Sequence, residues 1–417
     1  MKKLFLLLLI SLFSFNAWAQ WVLQSQPSGF DIFSCSFLDG NTGYICGYGN
    51  SLFKTTTGGL NWINLSYPTT AQNLNVVHFF DANTGFVCST NDTLYRTTNG
   101  GLNWSNIFIG FQAQSVSFAN ANTGFVGGYS AIAKTTDAGI SWISWNIQSY
   151  GELYFVNPST GWTSTYLSGG SDIYKTTDGG NNWNLQYSTS DFRIIYNFCF
   201  LNENTGWAVG YRELILKTTD GGMNWITQHD VDGEPGIYSV CFIDSNTGWA
   251  AGDFYFSGGS KVFYTTNGGD LWQSYFLSSN AGRLSQVQFV NQTTGFLTGQ
   301  YGNVFRTVNR GGLTSISGNS GTTPSDYKLF QNYPNPFNPA TKIKFDIPAG
   351  VVGQSFLSVT LKIYDVLGRE LQTLVNNKLQ PGSYEITFDG SNLSGGIYFY
   401  RLIAGNYINA KKMIFVK

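Results

Sequence analysis

Charged side chains are scarce in this sequence, and the two signs are balanced. Only 11% of the 417 residues are Asp, Glu, Lys or Arg, and 23 basic against 24 acidic residues leave a formal net charge of −1. Proteins that bind nucleic acid usually carry a basic patch, so we expect no nucleic-acid partner. Intrinsic disorder is also disfavoured, because 42% of the residues are hydrophobic and 17% are aromatic.

Cysteine and histidine are rare as well. The odd number of cysteines and the lack of Cys-x-x-Cys spacing exclude a dense disulfide framework, and we expect buried thiols at Cys35, Cys46, Cys88, Cys199 and Cys241. The only histidines are His78 and His229, so we predict no metal site. The sequence contains neither a phosphate-binding loop nor a dinucleotide motif, and we predict no cofactor.

Long apolar runs are absent beyond the first residues of the chain. Lys2 and Lys3 precede an apolar stretch at 4–13 that is too short to span a bilayer, and Ala17-Trp18-Ala19 follows as a small-x-small site. We therefore expect residues 1–19 to be a signal peptide that is cleaved before Gln20. No later run has the length of a membrane span, so we expect no transmembrane segment.

A repeat covers the first three quarters of the chain. Its motif is a Thr-Gly pair with a Phe six residues before the Gly and an aromatic residue directly after it. The motif occurs in seven copies about 42 residues apart. The glycines are Gly43, Gly85, Gly124, Gly161, Gly206, Gly248 and Gly295. This period, with alternating strand-like segments and many turn residues, is typical of a four-stranded propeller blade. In the fourth copy we predict strands over 153–156, 161–165, 173–176 and 183–187.

A second motif marks the turn between the third and fourth strands of each blade. Its fullest form is Lys175-Thr176-Thr177-Asp178-Gly179-Gly180-Asn181-Asn182-Trp183. It recurs with its Trp at Trp62, Trp104, Trp142, Trp225 and Trp272, while Thr57, Asn99, Asn267 or Asn309 replaces the Asp in other copies. These replacements favour a structural turn over a calcium or catalytic site.

The seventh copy lacks a fourth strand after its turn. Residues 21–26 resemble the fourth strand at 183–188 and precede the first copy by the appropriate distance. We therefore predict that 21–26 complete the blade formed by 284–310, which closes a ring of seven blades and removes its open edges.

Residues 20–312 resemble the Asp-box or BNR repeat family, and in particular propellers similar to photosystem II assembly and stability factors. The resemblance implies an all-β fold, a seven-bladed β-propeller, and it says little about function. A Gly, Ser and Thr-rich segment at 313–326 follows, which we expect to be a flexible linker.

The last segment, 327–417, has the alternation and turns of a small Ig-like β-sandwich, with strands expected over 341–347, 358–364, 382–388, 396–402 and 410–416. The run Leu329-Phe330-Gln331-Asn332-Tyr333-Pro334-Asn335-Pro336-Phe337-Asn338-Pro339 resembles the start of the type A C-terminal sorting domain of the type IX secretion system. The resemblance implies export through the periplasm, with the type IX machinery as a partner. The protein would then be secreted or attached to the outer-membrane surface.

Tyrosines recur in loops that should share one face of the propeller. They follow the second strand at Tyr48, Tyr129, Tyr166, Tyr211, Tyr255 and Tyr301. A phenol has a flat apolar ring and a polar tip, which suits binding of sugars or peptides, although packing between blades explains such residues equally well.

Candidate catalytic groups are few. Loop carboxylates that a glycoside hydrolase could use are Asp191, Glu213, Asp230, Asp232, Glu234 and Asp253, and no spacing links Arg193, Arg212 and Arg283. We favour a non-catalytic, secreted or surface-displayed propeller that binds a protein or glycan. The alternatives are a polysaccharide-active glycoside hydrolase and an assembly role.

Overall fold

Short strands joined by tight turns account for most of the chain. The structure is a computed structural model that describes residues 21–417 except 28, 50, 67–72, 129–130, 147–151, 168, 190–192, 232–234, 255–258, 278–280, 313–316, 320–323, 349–356, 380 and 391–392. The expected signal peptide lies outside the described residues. The described part of the chain divides into two compact units, Trp21–Val308 and Asn309–Lys417.

Seven four-stranded antiparallel sheets form the first unit within the described residues, which confirms the all-β propeller fold. After β1 (Val22–Leu23), blades 1 and 2 contain β2 (Ile32–Phe37), β3 (Gly43–Gly47), β4 (Leu52–Thr55), β5 (Ile63–Asn64), β6 (Leu74–Phe79), β7 (Gly85–Ser89), β8 (Thr93–Thr97) and β9 (Ser105–Phe108). Blades 3 and 4 contain β10 (Ala113–Phe118), β11 (Gly124–Gly128), β12 (Ala131–Thr135), β13 (Ile143–Asn146), β14 (Leu153–Phe155), β15 (Gly161–Leu167), β16 (Gly170–Thr176) and β17 (Asn184–Ser188).

The remaining blades follow the same order. Blades 5 and 6 contain β18 (Ile195–Phe200), β19 (Gly206–Gly210), β20 (Leu214–Thr218), β21 (Ile226–His229), β22 (Ile237–Phe242), β23 (Gly248–Phe254), β24 (Gly259–Thr265) and β25 (Gln273–Phe276). Blade 7 contains β26 (Leu284–Phe289), β27 (Gly295–Gly299) and β28 (Val304–Thr307), with short 3₁₀ turns at Gln300–Gly302 and Arg310–Gly312.

The Phe and Gly of the first motif lie against each other in every blade. The Phe ring covers the Gly six residues later so closely that a Cβ at Gly248 would lie 2.6 Å from Phe242, and one at Gly295 would lie 2.7 Å from Phe289. On its other side the ring meets the aromatic residue of the neighbouring blade, as in Trp207–Phe242, with ring centroids 3.4 Å apart. The motif therefore packs each blade against the next, which explains the fixed spacing of Phe and Gly.

The second motif is a hydrogen-bonded turn. In blade 4, the hydroxyl of Thr176 accepts from the amide of Gly180 at 2.9 Å, and the carboxylate of Asp178 accepts from the amide of Asn182 at 2.9 Å. Asn99 and Thr57 accept the corresponding bond in blades 2 and 1. Since an amide or hydroxyl oxygen serves as well as a carboxylate, the predicted structural role of the motif is confirmed.

The ring closes as predicted. β1 pairs antiparallel with β28, with Val22 opposite Arg306 and Leu23 opposite Phe305. Trp21 packs edge-on against Phe289 at 5.7 Å, the arrangement that Trp272 has against Phe242 in the preceding blade. Trp21 therefore replaces the motif Trp that the seventh copy lacks.

The second unit contains two four-stranded sheets among its described residues. Their strands are β29 (Ser317–Asn319), β30 (Lys328–Leu329), β31 (Ala340–Ile347), β32 (Leu357–Tyr364), β33 (Glu370–Leu379), β34 (Gly382–Asp389), β35 (Gly396–Ala404) and β36 (Tyr407–Phe415). β29 pairs with β34, so part of the segment expected to be a flexible linker belongs to a sheet. The sequence analysis also did not predict the strand β33.

The start of the sorting motif is anchored inside this unit. The amide of Asn332 donates to the Tyr400 hydroxyl at 2.8 Å, and the Asn332 side chain donates to Thr341 at 3.0 Å. Phe337 is buried between Phe388 and Phe415, and its backbone pairs with Ile414. The Asn-Tyr-Pro-Asn-Pro run is thus a structural element of the sandwich.

We expect Trp21→Ala to lower the free energy of unfolding by about 3–5 kcal/mol, because it removes a buried Trp from the closing blade. Leu23→Ala is the control, since Leu23 is half exposed. Denaturant unfolding of both variants tests this. Equal stability of the two variants would contradict the closing role of Trp21.

We expect Gly248→Ala to cost about 1–3 kcal/mol, because the added methyl forces the Phe242 ring out of its stack. Gly29→Ala provides the control, since no atom lies within 4 Å of the position of its Cβ. Thermal unfolding monitored by circular dichroism measures the difference, and an unchanged midpoint for Gly248→Ala would argue against this packing constraint.

Candidate functional site

The meander of each blade separates its turns onto two faces of the propeller. The Thr-Gly turns and Asp-box turns share one face, where the amide of Gly100 donates to the carbonyl of Asn83 at 2.8 Å. The loops from second to third strand share the other face with the connections between blades, as the bond from Tyr48 N to Asp31 O at 2.9 Å shows. We call this second face the tyrosine face.

The predicted tyrosines have different environments on this face. Tyr48 and Tyr301 are 51% and 57% exposed, whereas Tyr211 is partly buried. Tyr129 and Tyr255 lie outside the described residues, and only the backbone of Tyr166 is described, within β15.

Tyr48, Tyr301 and Phe30 are exposed at the seam between blades 7 and 1, where Asp31 accepts hydrogen bonds from the amides of both tyrosines, and we call these three residues the aromatic platform. Phe30 is 50% exposed, and its ring lies 5.9 Å from that of Tyr48. Contiguous exposed apolar surface is a common feature of binding sites. The sequence analysis did not select Phe30, since it precedes the repeat.

Asp31 fixes the backbone beneath the platform. Its carbonyl accepts from the amide of Tyr48, and its carboxylate accepts from the amide of Tyr301 at 3.3 Å and from the Gln300 side chain at 3.4 Å. Tyr301 has a φ of 60°, a left-handed conformation that costs a non-glycine residue energy. The platform is therefore held in place before any ligand arrives.

A second strained loop lies on the same face, in blade 5. Arg212 and Glu213 have φ values of 63° and 51°, and the buried Glu213 carboxylate binds Lys261 at 2.6 Å and His229 at 3.1 Å. Burial acts to raise the pKa of Glu213, but the hydrogen bonds and charges of the two basic groups outweigh it and lower the pKa. Glu213 thus ties blade 5 to blade 6.

Two of the loop carboxylates selected from the sequence are engaged in ion pairs. Glu213 is held as described, and Asp230 binds Arg193 at 2.8 Å. Asp191, Asp232 and Glu234 lie outside the described residues. Asp253 lies in β23, where its amide donates to the carbonyl of Gly236 at 3.2 Å.

An axial cavity of about 710 Å³ lies between the innermost strands of the seven blades. Side chains of one blade close the inner edge of the next: Ser34 accepts from the amide of Val77 at 3.3 Å, and Ser36 accepts from that of Phe79 at 2.9 Å. Asn197 bonds the amide of Val240 in the same way. These bonds satisfy amides that an inner edge strand would otherwise leave unpaired.

A β-bulge interrupts the inner strand of six blades and adds a residue that lines the cavity. Each additional residue lies at the register shift near the start of the inner strand, as Phe33 does between Ile32 and Ser34. The six residues are Phe33, Asn75, Gln114, Tyr196, Tyr238 and Ser285. Bulges change the direction of side chains and are frequent beside binding sites. Sequence reasoning missed this set, although its constant position four residues before each motif Phe was available as a signal.

Stacked rings and one cation occupy the cavity wall in blades 5 to 7. The rings of Tyr196 and Tyr238 are 5.1 Å apart, and the guanidinium of Arg283 lies 5.1 Å from the centre of Tyr238. A Cβ at Gly236 would lie 2.7 Å from the Tyr196 ring, so the glycine allows this stack.

Glu152 lines the same cavity in blade 4. Its carboxyl accepts from the Asn197 side chain at 3.2 Å. Burial raises the pKa of Glu152 to about 8, which exceeds the lowering effect of the Asn197 hydrogen bond. At neutral pH the group is therefore mainly an uncharged carboxylic acid.

His78 and the five cysteines are partly or fully buried. His78 stacks on Phe118 at 5.5 Å, and burial lowers its pKa to about 4. All five cysteines are unpaired, and burial is confirmed for four of them, whereas Cys241 is partly buried. Burial also raises their thiol pKa values, to about 12 at Cys35 and about 11 at Cys241.

Two family models match segments of the chain. The family described as photosynthesis system II assembly factor YCF48 matches residues 60–191, and the family described as secretion system C-terminal sorting domain matches 331–417. No curated protein matches the chain.

Solved structures resemble the propeller in fold. "YCF48 bound to D1 peptide" is 21% identical, with a TM-score of 0.59, and the match covers 70% of this chain and 97% of that one. YCF48 from Cyanidioschyzon merolae is 20% identical, with a TM-score of 0.55 and coverage of 69% and 98%. The WD40 β-propeller domain of Doa1 is 10% identical, with a TM-score of 0.54 and coverage of 69% and 96%.

The seven blades with their Asp-box turns define a β-propeller of the BNR-repeat class. The chain joins a YCF48-like propeller to a type IX secretion system C-terminal sorting domain. The sorting domain indicates export to the cell surface or secretion. Among the described residues, no helix has the length and hydropathy needed to cross a membrane.

Glu152 makes the stability of the propeller depend on pH. Between pH 4.5, the ordinary pKa of a glutamate, and about 8, the folded protein retains a proton that the unfolded chain has lost. Stability therefore falls as pH rises through this window. His78 opposes this slope up to its ordinary pKa of 6.5, so the fall is clearest between pH 6.5 and 8.

Between pH 6.5 and pH 8, we expect the free energy of unfolding to fall by about 2 kcal/mol less in Glu152→Gln than in the wild type. The reason is that one proton contributes about 1.4 kcal/mol per pH unit. The measurement is the free energy of unfolding in denaturant at pH 6.5 and pH 8. Glu203→Gln is the matched control, because Glu203 is exposed. A decline of the same size in Glu152→Gln would show that Glu152 does not cause it.

Proposed function

We propose that the exported propeller is a non-catalytic binding protein and that it holds a protein or glycan ligand on its tyrosine face. The observation that carries the proposal is the aromatic platform, three exposed rings on a backbone fixed by Asp31. Tyrosine and phenylalanine supply large contact areas with little loss of rotamer freedom, which is why they are common in binding hot spots.

The position of the platform also supports binding. The Asp-box face repeats the same residues in successive blades for a structural purpose, whereas the loops of the tyrosine face differ from blade to blade. Variable loops on a rigid scaffold are the usual place for recognition. One structural relative is "YCF48 bound to D1 peptide", so a propeller of similar fold binds a peptide.

Ion pairing supports a non-catalytic role over the glycoside hydrolase alternative. Asp230 and Glu213 are each bound to basic side chains, and Glu152 is the one carboxyl group among the cavity-lining residues that the structure describes. Hydrolysis of a glycosidic bond normally requires two carboxyl groups on either side of it. At the platform, the Asp31 carboxylate is bound to the amide of Tyr301 and to the Gln300 side chain.

Glycan and peptide arrays probed with the purified protein test the proposal, with reducing-sugar release from polysaccharides assayed in parallel. For a ligand found on either array, we expect Tyr48→Ala combined with Tyr301→Ala to weaken binding at least about tenfold, since each aromatic contact contributes about 1 kcal/mol. Phe108→Ala combined with Ile143→Ala is the control, because it removes two exposed apolar side chains from the outer strands.

Two outcomes would contradict the proposal. Sugar release by the wild-type protein would favour the hydrolase. Unchanged affinity and stability in the Tyr48 and Tyr301 double variant would place the ligand site away from the platform.

A further inference from the structure

The axial cavity is lined by a cation, Arg283, that forms no ion pair with the described residues. Arg283 lies immediately before β26 and lines the cavity, with its guanidinium over the Tyr238 ring. Among the described residues no carboxylate lies within ion-pair distance of it, in contrast to Arg193, which binds Asp230. A partly buried positive charge of this kind favours an anion from outside the protein.

Two polar atoms of this wall, one of them in the guanidinium itself, lack hydrogen-bond partners among the described residues. The Nε of Arg283 and the hydroxyl of Ser285 are buried without a hydrogen-bond partner among the described residues, and both residues line the cavity. Buried polar groups nearly always have partners, so each exception requires an explanation. A ligand that brings acceptor atoms to this wall would supply one.

The rest of the cavity wall is uncharged at neutral pH. Its one described carboxyl group, Glu152, is mainly protonated, and His78 is neutral. The remaining titratable groups on the wall are poorly ionised at this pH: Cys35, Tyr154, Tyr196, Cys199, Tyr238 and Cys241. Asn75, Gln114, Asn197 and Gln286 supply amides. The cavity therefore combines one positive charge with neutral hydrogen-bonding groups.

We propose that the axial cavity binds a small hydroxylated monocarboxylate, with the carboxylate of the ligand on Arg283 and its hydroxyl groups on the amides of the wall. A guanidinium matches a carboxylate in geometry through two parallel hydrogen bonds, and one cation balances one negative charge. A volume of about 710 Å³ is sufficient for a ligand of this size. None of the three platform residues lines the cavity, so failure of this inference would leave the proposed function unaffected.

Glu152 makes the binding depend on pH. When Glu152 ionises, a negative charge appears on the wall of the same cavity and repels the carboxylate. Two like unit charges about 10 Å apart in a medium of effective dielectric constant about 20 repel each other by an amount equivalent to roughly a tenfold loss of affinity. Glu152→Gln keeps the wall neutral, so this variant should lose the pH dependence and retain the binding.

Isothermal titration calorimetry of the full exported chain with glucuronate, glucose and inorganic phosphate tests the inference. We expect saturable binding of glucuronate at pH 7, and binding of glucose and phosphate at least about tenfold weaker. Arg283→Gln should lose glucuronate binding by at least the same factor. Lys344→Gln, which removes an exposed charge from the sorting domain, should bind as the wild type does.

The pH series completes the test. We expect wild-type affinity for glucuronate to fall about tenfold between pH 7 and pH 9, and the affinity of Glu152→Gln to stay constant. Thermal unfolding confirms that each variant is folded, and Arg283→Lys, which keeps the charge, should retain part of the binding. Absence of saturable glucuronate binding by the wild type, equal binding of glucose, or wild-type affinity in folded Arg283→Gln would each overturn the inference.

Discussion

The propeller depends on one repeated contact, a phenyl ring lying on a glycine. Because the Phe that ends each inner strand covers the Gly that begins the second strand, no larger residue fits there. The uncovered side of the ring then meets an aromatic side chain of the neighbouring blade, as in Tyr44–Phe79 and Phe296–Phe37. Packing within a blade and packing between blades thus share a single side chain. Seven such contacts form a continuous ring, and the loops at its ends do not take part in them.

Residues of the inner strands have two different roles, closing the edge of the next blade or lining the cavity. Residues such as Ser34 and Ser36 close the edge of the next blade, and their polar groups are used for that purpose. The bulge places one more residue in the cavity without disturbing these bonds, which is how Tyr196 and Tyr238 come to line it. Chemistry can therefore vary at the bulge while the edge-closing positions remain polar or small. His78 and Tyr154 occupy the same position at two other junctions between blades. His78 stacks on the ring of Phe118, and the Tyr154 hydroxyl donates to the carbonyl of Phe200.

Repetition explains how much of this could be predicted from the sequence. Seven copies of a Phe and Gly spacing identify the blades, and the likeness of 21–26 to a fourth strand predicts the closure. The alternation of residues does not reveal the bulges, because an extra residue in a strand of six leaves it ambiguous, and only their constant position four residues before each motif Phe could have indicated them. Phe30 lies outside the repeat, and Arg283 and Glu152 are far apart in the chain, so only the closed ring shows that they share a cavity. The strand Glu370–Leu379 was missed because its polar residues, among them Asn376, Asn377 and Lys378, suggest a loop.

The two-residue strand that completes the seventh blade links the first residues of the propeller to the last. Trp21 and Phe289 are in contact although 267 residues separate them in the chain, so this contact is among the most non-local in the unit. Contacts of this kind form late, because a long loop must be closed before they contribute stability. The propeller therefore cannot finish folding until β28, near its carboxyl-terminal end, is available to pair with β1. The geometry of the closure thus delays the native state of the propeller until nearly all of its residues are available to fold.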